Sequence, residues 1–143
     1  MRERVPNWSI ELVQLANHLC VQPFRWGETD CASVARKALV AMYGKDIVAP
    51  YIKVTYTTRL GAARVFSKIG SMADIVIAAG AREVPLHVTR DGDFLIFPKS
   101  GGYENMSTQM GGLWVISSPD LNSVFATKIM LTSMTPETKA FRF

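Results

Sequence analysis

The sequence predicts an α+β fold in which N-terminal helices pack on a small antiparallel sheet supplied by the C-terminal half. Three observations carry this. As far as about residue 80, apolar residues recur at the i, i+3, i+4, i+7 spacing of a helix face. From residue 84 they recur as short β-branched and aromatic runs. Paired Gly, Pro and Asp residues separate those runs, so the strands join by tight turns rather than crossover helices. At 143 residues, with 48% apolar and 20% charged residues, the chain is sized and composed for one core. Residues 1–143 therefore read as a single domain.

Asn7 and Ser9 are the caps available to a first helix, whose stripe is Leu12, Leu15, Ala16 and Leu19. It must stop near Val21, because Pro23 follows. The second helix has the strongest signals: Asp30 as N-cap, Val34, Ala35, Ala38, Leu39 and Met42 as the buried face, and Gly44 as the stop. Cys31 then falls in its first turn. Thr57 or Thr58 opens a third helix through Leu60, Ala63 and Phe66 to Gly70. Ser71 and Asp74 have capping-box spacing for a short fourth helix, which Gly80 ends.

The predicted strands are Leu86–Val88, Phe94–Phe97 before Pro98, Leu113–Ile116, Val124–Ala126 and Ile129–Leu131, with turns at Asp91-Gly92-Asp93, Gly101-Gly102, Gly111-Gly112 and Pro119-Asp120. Ser100-Gly101-Gly102-Tyr103 lacks the Lys-Ser/Thr pair and the strand-to-helix context of a phosphate cradle, so it reads as a hairpin turn and no nucleotide is implied. Met106, Met110, Met130 and Met134 offer the strand half an adaptable contact surface, core filling being the commoner use of methionine.

Composition removes several function classes. The net charge is +4 and the basic residues are spread along the chain, so no nucleic-acid partner is indicated. Met1–Asn7 has mixed charges and no apolar core, which predicts no secretory signal and synthesis in a cytoplasm. Residues 75–81, the longest nearly uncharged apolar run, fall far short of the roughly 20 residues a membrane span needs. Cys20 and Cys31 form no CxxC pair and have only His18 and His87 for company, so neither a metal site, a cofactor nor a disulfide framework is expected.

Cys31 carries the candidate chemistry. At a helix N-terminus a thiol meets the positive end of the helix dipole and free N–H groups; both favour thiolate, and the N–H groups are also placed to act as an oxyanion hole. The competing reading is a free cysteine packed inertly in a core. The surrounding stretch, Pro23-Phe24-Arg25-Trp26-Gly27-Glu28-Thr29-Asp30-Cys31-Ala32-Ser33-Val34, resembles the nucleophile region of NlpC-type papain-like cysteine peptidases, whose pattern is Tyr, then Trp-Gly, then Asp-Cys-Ser-Gly. Gly92-Asp93-Phe94-Leu95-Ile96-Phe97 is similar to the Gly-Asp strand that follows in that family. Short NlpC-like proteins of phage and prophage tail clusters also share the length, the Leu60-Gly61-Ala62-Ala63 segment and an aromatic-Arg ending like Phe141-Arg142. The resemblance implies a papain-like fold, with Cys31 at the nucleophile position and Phe24, Trp26, Gly27, Asp30, Gly92 and Asp93 in support.

It also implies a defect. The family's His-Val-Gly, whose histidine deprotonates the cysteine, corresponds here to Gln109-Met110-Gly111, and glutamine takes no proton near neutral pH. Phe24 replaces the tyrosine and Ala32 the serine. His18 and His87 precede the Gly-Asp strand, the wrong order for the base. The resulting expectation is a virion component of the tail tip or hub, in contact with hub, distal tail or tip proteins, on a degenerate peptidase fold with Gln109 at an incompetent base position facing Cys31. The alternative is an active endopeptidase that cuts peptidoglycan stem peptides during phage entry.

Overall fold

The computed structural model describes residues 2–98, 104–129 and 136–143. Among these, four helices, α1 (Trp8–Leu19), α2 (Cys31–Tyr43), α3 (Arg59–Ile69) and α4 (Met72–Ala78), precede six strands, β1 (Arg82–Val84), β2 (Phe94–Ile96), β3 (Met106–Met110), β4 (Leu113–Ser118), β5 (Ser123–Thr127) and β6 (Lys139–Arg142). The fold is α+β. All pairings are antiparallel and the sheet order is β1-β6-β2-β3-β4-β5. β2 through β5 form the expected meander, and β6 returns to lie between β1 and β2.

The caps decide where the helices start. Asp30, Thr58 and Ser71 each sit in extended conformation and accept a side-chain bond from the N–H three residues on, so α2, α3 and α4 begin where the sequence places them. Gly44, at φ 73°, closes α2 in the left-handed conformation glycine tolerates best. At α1, Asn7 is itself left-handed (φ 63°), its side chain makes no capping bond, and Ser9 lies inside the helix.

The strand half departs from expectation in three places. Leu86–Val88 is a turn of 3-10 helix, not a strand. Pro85 has no N–H for a ladder, and the local bonds Val88 N–H to Pro85 O and Thr89 N–H to Leu86 O bend the chain instead. The pairing strand is the preceding one, β1. β3 (Met-Ser-Thr-Gln-Met) and β6 (Lys-Ala-Phe-Arg) have weak strand composition; both are set by their neighbours in the sheet. Ile129 follows β5 outside any strand, while Met130, Leu131, Met134 and the predicted Ser100–Tyr103 turn lie outside the described residues.

Side chains alternate across a strand, and the two faces of this sheet do different things. Phe94, Ile96, Met106, Met110, Val115, Val124 and Phe141 face the helices and join Leu12, Leu19, Val34, Ala38 and Met42 in the main core. Val84, Leu95, Trp114 and Ala140 form a smaller cluster on the far face, covered by Leu86, Phe97 and Ile129. Met106 and Met110 are thus core residues, and the contact surface expected from them is not there. Each fully buried Leu, Phe or Met of this kind contributes about 1.5–3 kcal/mol. No helix among the described residues is long and apolar enough to cross a membrane.

Candidate functional site: the Cys31 cleft

Asp30 is the hub of the region. Its buried carboxylate accepts from the Ser33 N–H (3.1 Å), the Ser33 hydroxyl (2.9 Å), the Gly27 N–H (2.5 Å) and the Tyr56 hydroxyl (2.9 Å). One side chain therefore caps α2, holds the Trp26-Gly27 turn against it and anchors the segment leading to α3. Thr29, also buried, braces the same loop: its hydroxyl donates to Pro23 O (2.8 Å) and accepts from Arg25 N–H (2.7 Å). Gly27 is obligatory here. At φ 83°, an added Cβ would lie 2.0 Å from the Tyr56 carbonyl oxygen. Trp26 packs on the main core and meets Phe24 edge to face at 4.8 Å between ring centroids.

This scaffold puts Cys31 at the first residue of α2, where the sequence places it. Its side chain packs on the helix side of the sheet and opens on a cleft of about 320 Å³ walled by Arg59, Asn105, Met106 and the β4–β5 turn around Asp120. The electrostatics are not those of a nucleophile. Burial first, and the Asp30 charge second, push the thiol up to about 12; the N–H groups of Met106, Ala32 and Cys31 pull the other way and are outweighed. A sliver of the side chain reaches the cleft, but the packed atoms around it dominate. Tyr56 is affected alike: burial, then Asp30, raises its hydroxyl above the usual phenol range, so it stays protonated and donates to Asp30.

Gln109 does not face Cys31. It pairs directly with Trp114, whose indole lies in the far-face cluster, whereas Met110 next to it and Met106 three residues before it lie in the main core with Cys31. The sheet separates Gln109 from the thiol. Its Oε1 is buried with no hydrogen-bond partner among the described residues. The part of β3 that lines the cleft with Cys31 is its beginning, Met106 and Ser107, with Asn105 just before it. His18 is exposed in the last turn of α1 and His87 is exposed on the 3-10 turn, and neither lines the cleft. Among the described residues, no three His, Cys, Asp or Glu side chains gather to hold an ion.

Gly92 and Asp93 stand apart from the cleft and have structural work. Asp93 is fully buried and receives the Arg142 guanidinium in a fork, Nε to Oδ1 at 2.8 Å and an NH2 group to Oδ2 at 2.7 Å. It also accepts from Arg90 N–H at 2.9 Å, and Arg142 donates to Val88 O at 2.9 Å. Asp93 in turn raises the already high pKa of Arg142. An added Cβ on Gly92 (φ 91°) would meet the Met42 sulfur at 2.4 Å. The Gly-Asp turn is thus fastened to the last strand and to α2.

A family model described as Domain of unknown function (DUF6950) matches residues 3–135. The chain belongs to that family. No curated protein and no solved structure matches it. The DUF6950 match takes in the whole Cys31 cleft, Asp30, Tyr56 and Asp93, and stops short of β6, so Arg142 lies beyond it. Sequence reasoning missed Tyr56 and Arg142 as partners. An aromatic hydroxyl 26 residues from Asp30, and an arginine 49 residues from Asp93, leave no local pattern.

Proposed function

We propose that this chain is a structural or assembly component of a phage tail, at the tip or hub, on an NlpC-like, papain-like fold whose peptidase site does not work. One observation carries the non-enzymatic half: Cys31 sits in a cleft with no imidazole among its described walls, and its thiol is pushed up to about 12 rather than lowered. A peptidase of this class needs a thiolate and a proton donor for the leaving amine. The described walls of the cleft offer no imidazole for either task. The tail half rests on the resemblance carried by residues 23–34, by Gly92–Phe97 and by Phe141-Arg142. Its partners are then other tail proteins and its place is the virion.

Two measurements test this. Purified protein incubated with peptidoglycan or a stem-peptide analogue should give no turnover; turnover abolished by Cys31→Ala makes it an endopeptidase instead. Deleting the gene should yield tailless or tip-defective particles by electron microscopy. Complete particles that adsorb and fail only at wall penetration overturn the structural reading.

A further inference from the structure

A second cleft, of about 860 Å³, lies where the N-terminal segment, the turn after α4, the loop before β2 and the end of β6 meet. Five of the chain's nine arginines line it: Arg2, Arg4, Arg82, Arg90 and Arg142. Along the sequence these residues make no stripe, and the topology gathers them. Because β6 runs between β1 and β2, Arg142 pairs directly with Arg82. Like charges opposite one another on an antiparallel pair are destabilising, and Asp93 offsets only one of the two. Glu3 is the single acidic side chain among the lining residues, and no lysine is present.

Three of the arginines are held in place, two of them by contacts that leave their charge uncompensated. Arg142 is forked on Asp93, Arg2 donates to Ala79 O at 3.1 Å, and the Arg4 guanidinium stacks on Trp8, 4.0 Å from the ring centroid. Arg82 and Arg90 are exposed and make no ion pair among the described residues. A wall whose cations are all arginine favours planar, two-pronged recognition of an oxyanion over the point-charge contact a lysine gives. A nucleic acid would also want an aromatic platform for its bases. Of the two aromatic rings in the lining, Trp8 already carries Arg4 on its face and Phe143 packs against Phe94 and the main core.

We propose that this cleft docks an acidic peptide segment of a partner protein, whose Asp and Glu carboxylates are taken by Arg82 and Arg90 in the fork by which Arg142 already holds Asp93. The site is separate from the Cys31 cleft and requires nothing of the tail reading beyond a partner with an acidic surface, so the two stand or fall independently.

The test is fluorescence anisotropy of the full chain with a labelled oligo-glutamate peptide, with a single-stranded oligonucleotide of matched charge in parallel. Arg82→Glu with Arg90→Glu should weaken peptide binding by at least about tenfold. Both side chains are exposed, and circular dichroism checks the fold. Lys53→Glu with Lys68→Glu makes the same change in net charge in a different cleft and should leave binding within about twofold. Arg82→Lys with Arg90→Lys keeps the charge and should still lose affinity, because the forks are gone. The proposal is overturned by an absence of peptide binding, by equal losses in the arginine and lysine reversals, or by an oligonucleotide that binds more tightly through the same arginines.

Discussion

The surroundings of Cys31 set a reactivity that can be measured. With the thiol raised from its ordinary 9.0 to about 12, the thiolate fraction at pH 7.5 falls from roughly 3% to roughly 0.003%, on the order of a thousandfold. Iodoacetamide reacts with thiolate, so Cys31 in the folded chain should alkylate slower by about that factor than the same residue in the urea-unfolded chain, and limited access adds to the gap. Peptide mass spectrometry after timed quenching separates Cys31 from Cys20, which is also free. Asp30→Asn then dissects the cause. It removes the smaller influence, the like charge, and leaves burial, so the folded-state rate should rise yet stay below the unfolded one. The amide also turns an NH2 group toward donors that Asp30 now accepts, which costs about 1–3 kcal/mol of stability. A folded-state rate at pH 7.5 matching the unfolded one, or a rate profile that levels off below pH 9, would refute the account of the thiol.

Four further outcomes are expected. Arg142→Met leaves Asp93 as an unpaired buried charge and should lower unfolding free energy by about 3–5 kcal/mol in urea titrations, with Asp93→Asn/Arg142→Met losing less than the two single changes together. Gly27→Ala should cost about 3 kcal/mol or more, read as a drop in Tm, since it combines a positive φ with a Cβ driven into the Tyr56 carbonyl. Cys31 and Tyr56 both have folded pKa values above their unfolded ones, so their contribution to stability is complete below about pH 9. It should be lost as pH climbs through 9 toward about 12, because the unfolded groups ionise first; a urea midpoint that falls more steeply for the native chain than for Cys31→Ser between pH 8 and 10.5 checks this to within about a unit. Gln109→His should not create thiol-dependent hydrolysis of a stem-peptide analogue, because the new imidazole would lie across the sheet from Cys31; turnover would refute the assignment of faces.

How much was legible in the sequence follows from how local each signal is. Asp30, Thr58, Ser71 and Gly44 act within three or four residues of themselves, and the helix boundaries they imply agree with the structure. Strands depend on partners, so β3 and β6, which lack β-branched or aromatic enrichment, exist because β2 offers each of them an open edge. Leu86–Val88 has strand composition and no partner once Pro85 has turned the chain. Cys31 was placed correctly on its helix, but the state of its thiol depends on long-range packing that no spacing reveals. The face of Gln109 is a matter of parity: a shift of one residue along β3 moves a side chain from the helix side to the far side. The arginine cleft was invisible for a related reason, since its members come from four separate places in the chain.

The residues of the peptidase-like motif all have uses that do not involve peptide cleavage. Trp26 packs on the main core, Gly27 lets the Tyr56 carbonyl approach, Asp30 satisfies four donors at once, and Gly92-Asp93 locks the β2 turn to β6 through Arg142. Removing the chemistry leaves each of these contacts intact, so the motif alone is no argument for an enzyme. Catalysis asks for something additional: a cation or proton acceptor beside the thiol to offset its desolvation. Arg59 lines the same cleft, but the charge that acts on the thiol is the Asp30 carboxylate, of the wrong sign for that task and of the right sign for capping a helix. At this position the demands of folding and of nucleophilic chemistry oppose each other, and the local electrostatics serve the fold.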